Sequence, residues 1–180
     1  MTETERPWSA TIRLEEVGDT GRHIELEASE AVRGALAKPV GVDAIERLVA
    51  RFDLTRRGRD RLHVSGEVGG TVRQTCVVTL DPVVNDIKEA IDLTFAPPRE
   101  AMSETAEVDI DAVTSGEEME PLVGHAVDLG VIATEFFMLG IDPYPRKAGA
   151  AFDAPKTAAD PGSHPFAGLA ALQKNSTVKK

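Results

Sequence analysis

Alternating apolar and polar positions in the first hundred residues predict several β-strands. The clearest run lies at residues 48–55, where every second residue is apolar: Leu48, Ala50, Phe52 and Leu54. This period of two places the four side chains on one face of a strand. Residues 62–68 repeat the pattern, and further runs follow at residues 71–80 and 83–97. The pattern therefore predicts a four-stranded antiparallel meander.

Turn-forming residues separate the runs. Gly69 and Gly70 can both adopt the positive φ of a two-residue hairpin turn, which predicts a reversal between the second and third strands. Asp81-Pro82 predicts the next reversal. Upstream, two shorter alternating segments at residues 9–16 and 22–28 flank a Gly-Asp-Thr-Gly sequence. We therefore predict a first hairpin there.

Two helices are predicted. Ser29 can accept a hydrogen bond from a first-turn amide, which indicates a short helix from Ser29 to Ala37. From Ala126 to Leu139, apolar residues recur every three or four positions, as on one buried helical stripe. The predicted fold class is α+β, with an antiparallel sheet of about six strands built on the meander and one main packed helix.

The predicted organisation is one α+β domain over residues 1–145, followed by a flexible tail over residues 146–180. Within the domain, residues 100–121 are polar and acidic, with at most a short strand at Val108 and Ile110. The tail is rich in Ala, Pro and Gly, and a short apolar pattern at residues 166–174 predicts a small docking helix.

The formal net charge of −10 is unevenly distributed along the chain. Residues 101–145 contain 10 Asp and Glu but no Lys or Arg, whereas residues 146–180 contain 6 Lys and Arg and only 2 Asp. The average charge therefore does not exclude a local contact with nucleic acid.

One cluster of arginines stands out beside Gly58: Arg56, Arg57, Arg59 and Arg61. Asp60 offsets this charge only in part. If the meander is correct, the guanidinium groups crowd one hairpin tip, where they can bind phosphates in pairs. We therefore take these four residues as an RNA-binding hypothesis, and the alternative is a turn whose arginines are only solvated.

The acidic region also has two interpretations. It is either a solvated connection or a docking surface for a basic ribosomal protein, attracted by complementary charge. The residues that would form that surface are Glu117, Glu118, Glu120, Asp128 and Glu135.

The sequence offers little support for catalysis. The four histidines are far apart, and no phosphate-binding glycine motif precedes a helix. The single cysteine, Cys76, lies in an alternating segment and is expected to pack on the sheet. A divalent ion at Asp109, Asp111 and Glu117 would make a nuclease, which is the weaker alternative. We expect no enzymatic activity, no catalytic residue, no bound metal or cofactor and no small-molecule substrate.

The expected compartment is the cytoplasm. The N-terminus lacks the basic and apolar regions of a signal peptide, and the longest apolar run, at residues 129–141, is too short to cross a bilayer. No membrane partner is therefore expected.

Several motifs, in this order and spacing, resemble the YceD family. They are Thr75-Cys76-Val77-Val78-Thr79-Leu80-Asp81-Pro82-Val83, Val127-Asp128-Leu129-Gly130, Asp142-Pro143-Tyr144-Pro145-Arg146-Lys147 and Pro165-Phe166-Ala167-Gly168-Leu169-Ala170-Ala171-Leu172. The resemblance covers roughly residues 5–174. It implies a ribosome biogenesis factor that supports accumulation or assembly of large-subunit ribosomal RNA, with the pre-ribosome or a basic ribosomal protein as partner.

The same resemblance leaves alternatives. A protein-only chaperone for a ribosomal protein would fit the acidic region without any RNA contact. Many family members carry two cysteine pairs that could bind a metal ion, but this chain retains only Cys76. The resemblance therefore implies no metal site here.

Overall fold

The computed structural model describes residues 7–98 and 119–153. The chain divides into two compact units, residues 1–150 and 151–180, and every element below belongs to the first. In chain order these elements are β1 (Thr11–Arg13), β2 (Arg22–Glu27), α1 (Glu30–Ala37), β3 (Ala44–Arg57), β4 (Arg61–Thr75), β5 (Pro82–Ala96), β6 (Met119–Pro121), β7 (Ala126–Asp128) and α2 (Leu129–Leu139). The predicted α+β class is confirmed.

The main sheet has five strands in the order β2-β3-β4-β5-β6. All neighbours are antiparallel except β5 and β6, which run parallel. β1 pairs instead with β7 in a separate two-stranded sheet. The predicted first hairpin is therefore wrong, because β1 and β2 carry similar alternating patterns but pair with different strands.

The predicted turn at Gly69-Gly70 is also wrong, since β4 runs through both glycines. Gly69 and Gly70 pair with β3 on one side and with β5 on the other. A Cβ atom at Gly70 would collide with the Arg47 carbonyl oxygen and lie 2.9 Å from Cε2 of Phe137. Close packing, rather than chain reversal, explains this glycine. The meander consequently has three long strands, and the reversal before Pro82 is confirmed.

The helices start at capped residues. Ser29 caps α1 through its hydroxyl, which accepts from the Val32 amide at 3.4 Å, so this predicted helix is confirmed. The second helix was predicted from Ala126, but it begins at Leu129 because residues 126–128 form β7. Asp128 then caps α2, because its carboxylate accepts hydrogen bonds from the amides of Gly130 and Val131.

The core lies on one face of the sheet. Leu48, Phe52 and Val68 are fully buried there, and α2 places Phe137 against them in the same cluster. The opposite face carries mainly charged and polar residues around Gly69, including Arg47, Arg51 and Lys88. One sheet face therefore forms the core, and the other carries charged side chains around an open groove.

Other predictions fall outside the described residues. These are the strand at Val108 and Ile110, most of the connection at residues 100–121, and the tail helix at residues 166–174. Within the described residues, no helix is long and apolar enough to span a bilayer.

Candidate nucleic-acid interface

The β3–β4 hairpin ends in a three-residue turn, Gly58-Arg59-Asp60. Gly58 has a φ of 74°, a left-handed conformation that glycine adopts without steric cost. Arg57 pairs directly with Arg61 across the hairpin. The turn thus gathers all four predicted arginines, Arg56, Arg57, Arg59 and Arg61, into one cluster, which we call the arginine tip.

The arginine tip presents charge to both faces of the sheet. Arg57 and Arg61 are directly opposite, where like charges disfavour pairing. Arg56 lies on the other face, opposite Leu62, and its Nη2 donates to the Arg59 carbonyl oxygen at 3.3 Å. Among the described residues, neither Arg57 nor Arg59 has a side-chain partner. The cluster therefore keeps positive charge that its own carboxylates do not neutralise.

A cavity of about 410 Å³ adjoins Arg56. Arg13, Glu15 and His125 also line it, and Arg13 contacts Glu15 at 3.6 Å, so two further basic side chains and one carboxylate lie beside the arginine tip. Neither basic residue is predicted from the sequence, because both are distant from the hairpin along the chain and no local pattern links them to it. β1 and the turn before β7 bring them together.

A second groove, of about 330 Å³, crosses the open face farther from the tip. Its cations are largely neutralised: Arg51 contacts Glu25 at 3.1 Å and Glu67 at 3.5 Å, and Lys88 contacts Glu67 at 2.9 Å. Lys88 in turn lowers the pKa of Glu67, by a hydrogen bond and by its charge. Carboxylates therefore face two of the cations in this groove, whereas Arg57 and Arg59 of the arginine tip have no side-chain partner in the described part of the chain.

The acidic residues chosen from the sequence have different positions. Glu120 is exposed on β6 and Glu135 is exposed on α2, about 10 Å along the helix from Asp128. Glu117 and Glu118 lie outside the described residues, as do Asp109 and Asp111. The described part of the chain therefore offers Glu120 and Glu135 as free acidic surface.

Asp128 has a structural role. Its carboxylate accepts from the Ser9 hydroxyl at 2.6 Å and from the amides of Ala10, Gly130 and Val131 at 2.9 to 3.3 Å. Partial burial raises the pKa of Asp128, but these hydrogen bonds outweigh it and hold the pKa below the usual value. The ionised carboxylate thus ties β1 to the start of α2.

Cys76 was expected on the sheet, but β4 ends at Thr75 and the buried thiol lies in the following turn. Its Sγ accepts from the amide of Lys147 at 3.3 Å and from that of Thr79 at 3.4 Å. The Lys147 amide, followed by the hydroxyl and amide of Thr79, lowers the pKa of Cys76 to about 6 against the opposing effect of burial.

This turn joins two segments that are distant in sequence. The Val77 amide donates to the Pro145 carbonyl oxygen at 2.9 Å, and Lys147 Nζ contacts Asp81 at 3.0 Å. Gln74 Nε2 also donates to the Asp142 carbonyl oxygen at 2.9 Å. The motifs at residues 75–83 and 142–147 therefore form one junction, which the sequence analysis did not anticipate.

Neither location has the ligands of a metal centre. Within residues 7–98 and 119–153, no group of three or more His, Cys, Asp or Glu side chains could hold a metal ion. The Cys76 sulfur is surrounded by backbone amides rather than by further ligands. The residues present do not fit the cysteine-based metal site that other family members could form.

Comparison with known proteins agrees with the motif resemblance. A protein-family model described as large ribosomal RNA subunit accumulation protein YceD matches residues 64–173, more than half of the chain. Searches of curated proteins and of solved structures gave no match. The matched range includes most of β4, all of β5 and α2, and the junction between the Cys76 turn and residues 142–147. The chain therefore belongs to the YceD family of large ribosomal RNA subunit accumulation proteins.

Proposed function

We propose that this protein supports the accumulation of large-subunit ribosomal RNA by binding that RNA, or the pre-ribosome, through the arginine tip. The observation that carries the proposal is the unneutralised charge at the end of the β3–β4 hairpin. Arg57 and Arg59 are exposed and have no side-chain partner in the described chain. The family description supplies the class of RNA.

The shape of the hairpin suits a folded RNA. A three-residue turn between two long strands can enter a groove, and guanidinium groups bind phosphate oxygens with two parallel hydrogen bonds. His125 lines the cavity beside Arg56, together with Arg13, which contacts Glu15 at 3.6 Å. Aromatic residues are scarce, 4% of the chain, so stacking on unpaired bases contributes little. Phosphate contacts therefore provide most of the proposed affinity.

The acidic surface supports a second part of the proposal. Glu120 and Glu135, together with Glu117, Glu118 and the rest of the acidic region, would attract a basic ribosomal protein. Asp128 contributes to this surface only through the negative charge of its carboxylate, since its oxygens already accept hydrogen bonds from Ser9 and from the first turn of α2. The protein would then be a non-enzymatic cytoplasmic assembly factor that contacts RNA and protein at separate sites.

A paired substitution tests the RNA contact. The double variant Arg57→Ala/Arg59→Ala removes two exposed, unpartnered arginines, and Arg22→Ala/Arg73→Ala is the matched control. Each control arginine is exposed and pairs with a glutamate, at 3.2 Å and 3.8 Å. Both variants change the net charge equally. We expect affinity for purified large-subunit ribosomal RNA to fall on the order of 10-fold in the tip variant and by less than about twofold in the control.

Two outcomes would redirect the proposal. If the tip variant and the wild type bound the RNA with equal affinity, the arginine tip would not contact RNA, and a chaperone that binds only protein would be favoured. Equal losses in the tip variant and the control would indicate a general charge effect instead of a site. In either case the arginine tip would not be the RNA-binding element.

A further inference from the structure

Among the described residues, no strand covers the outer edge of β5 along most of its length. β5 pairs with β4 from Pro82 to Phe95, whereas β6 pairs with β5 only from Thr94 to Ala96. Within the described part of the chain, no other backbone group pairs with residues 83–93 on this side. Because unpaired N–H and C=O groups along an edge form a template for another strand, this edge can extend the sheet.

The register identifies which peptide groups point outward. The Ala96 carbonyl oxygen accepts from Leu122 at 2.7 Å, which places this group on the β6 side. Peptide direction alternates along a strand, and the β4–β5 register has no shift. The residues that direct both backbone groups outward over the open stretch are Val84, Asp86, Lys88, Ala90 and Asp92. None is proline, so every outward N–H can donate.

We propose that this edge pairs antiparallel with the same edge of a second copy, about a twofold axis at Ile87. Asp86 of each copy then lies opposite Lys88 of the other, and Val84 lies opposite Ala90. On the open face each Lys88, which contacts Glu67 of its own chain at 2.9 Å, then also faces Asp86 of the other copy, and the outward peptide groups exchange hydrogen bonds. The two sheets then join through their β5 strands, eight strands across with each β6 beside its own β5, and this inference does not depend on RNA binding.

Charge disfavours three of the neighbouring registers. An axis at Asp86, Lys88 or Glu89 would place that residue opposite its own copy, and like charges in direct opposition destabilise a pair of strands. An axis at Ala90 would pair Lys88 with Asp92, but it would also require the edge at Thr94, which β6 occupies. The register centred on Ile87 pairs opposite charges within the open stretch.

Exposed apolar side chains lie beside the same edge. Val84 is 57% exposed, and Met138 and Leu139, at the end of α2, are 44% and 77% exposed. This helix end rests on the middle of β5, since a Cβ atom at Gly140 would be 2.6 Å from Cγ2 of Ile87. In the proposed dimer both helix ends lie near the twofold axis, so pairing would cover apolar surface.

Sedimentation equilibrium of the full chain tests the proposal. We expect a concentration-dependent mass that approaches twice 19.3 kDa. Asp86→Lys and Lys88→Asp each place like charges opposite one another, so each should weaken self-association about 10-fold or more. An equimolar mixture of the two variants should dimerise, because one chain then carries two positive charges and the other two negative charges at the paired positions. Asp19→Lys, at an exposed turn, controls for net charge.

Recovered association in the mixture shows that each variant is folded, and the far-ultraviolet circular dichroism of each variant is matched to the wild type before mixing, so a monomeric mixture does not reflect misfolding. A wild-type mass of one chain at concentrations up to about 100 µM would overturn the proposal. A dimer that persists in both single variants, or a mixture that stays monomeric although the wild type dimerises, would also overturn it.

Discussion

At the scale of single residues, two side chains hold distant segments together. Asp128 connects the start of β1 to the first turn of α2. The sulfur of Cys76 accepts hydrogen bonds from the amide of Thr79, in its own turn, and from the amide of Lys147. Both groups have a lowered pKa because hydrogen-bond donors favour their ionised forms. Their contributions to stability should therefore depend on pH.

Replacement of Asp128 by alanine should lower the free energy of unfolding at pH 7 by about 1–3 kcal/mol, because a helix cap and the link to β1 are lost. The folded-state pKa of Asp128 is lowered, so its contribution is present above the unfolded pKa of about 3.9 and is lost as the pH falls through the folded value. Urea denaturation at neutral and acidic pH measures this difference.

Ser29→Ala is the matched control, because Ser29 caps α1 with an uncharged group. It should cost about 0.5–1 kcal/mol at every pH. A difference between wild type and Asp128→Ala that stays constant down to acidic pH would contradict the role assigned to the ionised carboxylate.

Thiolate absorbance near 240 nm should titrate with a midpoint of about 6 in the folded protein. In the urea-unfolded protein the midpoint should return to about 8.5. Because the folded pKa is the lower one, the thiolate stabilises the fold fully above about pH 8.5, and this contribution is lost as the pH falls through about 6. Cys76→Ser supplies the baseline, and a folded midpoint of 8 or higher would disprove the amide contacts.

At the scale of elements, sequence periodicity identified the strands better than their partners. The alternation at Leu48, Ala50, Phe52 and Leu54 predicted β3 correctly, since one face of that strand is buried. It could not show that β1 pairs with β7, because strand pairing over more than a hundred residues depends on the packing of the whole chain. The predicted turn at Gly69-Gly70 was wrong for a related reason, since a glycine can mark close packing between strands as readily as a reversal of the chain.

The candidate site was predictable only where its residues are contiguous. Four arginines around Gly58 form a local signal, and the hairpin gathers them as that signal indicated. Arg13 and His125 give no such signal, because tertiary packing alone brings them to the same cavity. The contact between Cys76 and Lys147 was not predicted either, because tertiary packing alone brings these two residues together.

Gly70→Ala should destabilise the protein by about 1–3 kcal/mol, because a methyl group would meet the Arg47 backbone and the ring of Phe137. Gly34→Ala is the matched control, since no atom lies within 4 Å of the added Cβ on α1. We expect that control to stabilise the helix by about 0.5–1 kcal/mol. If Gly70→Ala were neutral in thermal denaturation, the close packing of β4 against β3 and α2 would be wrong.

At the scale of the whole molecule, a net charge of −10 opposes general attraction to nucleic acid. The proposed RNA contact therefore requires a local surface whose own charge is positive. The arginine tip meets that condition, because its arginines lie in and beside the three-residue turn at the end of the β3–β4 hairpin.

Salt dependence should report the size of this local surface. If three to four arginines of the tip contact phosphates, the logarithm of the RNA association constant should fall with the logarithm of salt concentration with a slope of about −2 to −4. Fluorescence anisotropy at several salt concentrations measures this slope. Arg57→Ala/Arg59→Ala should reduce its magnitude by about 1 to 2, and an unchanged slope would place the contacts elsewhere.

Ultraviolet crosslinking of the full-length protein to RNA in cells, followed by mass spectrometry of the crosslinked peptides, tests the central claim most directly. The account predicts crosslinks to large-subunit ribosomal RNA within residues 56–61, joined by weaker crosslinks near Arg13 and His125. Efficient crosslinks to the same RNA that map elsewhere, with none in residues 56–61, would contradict it.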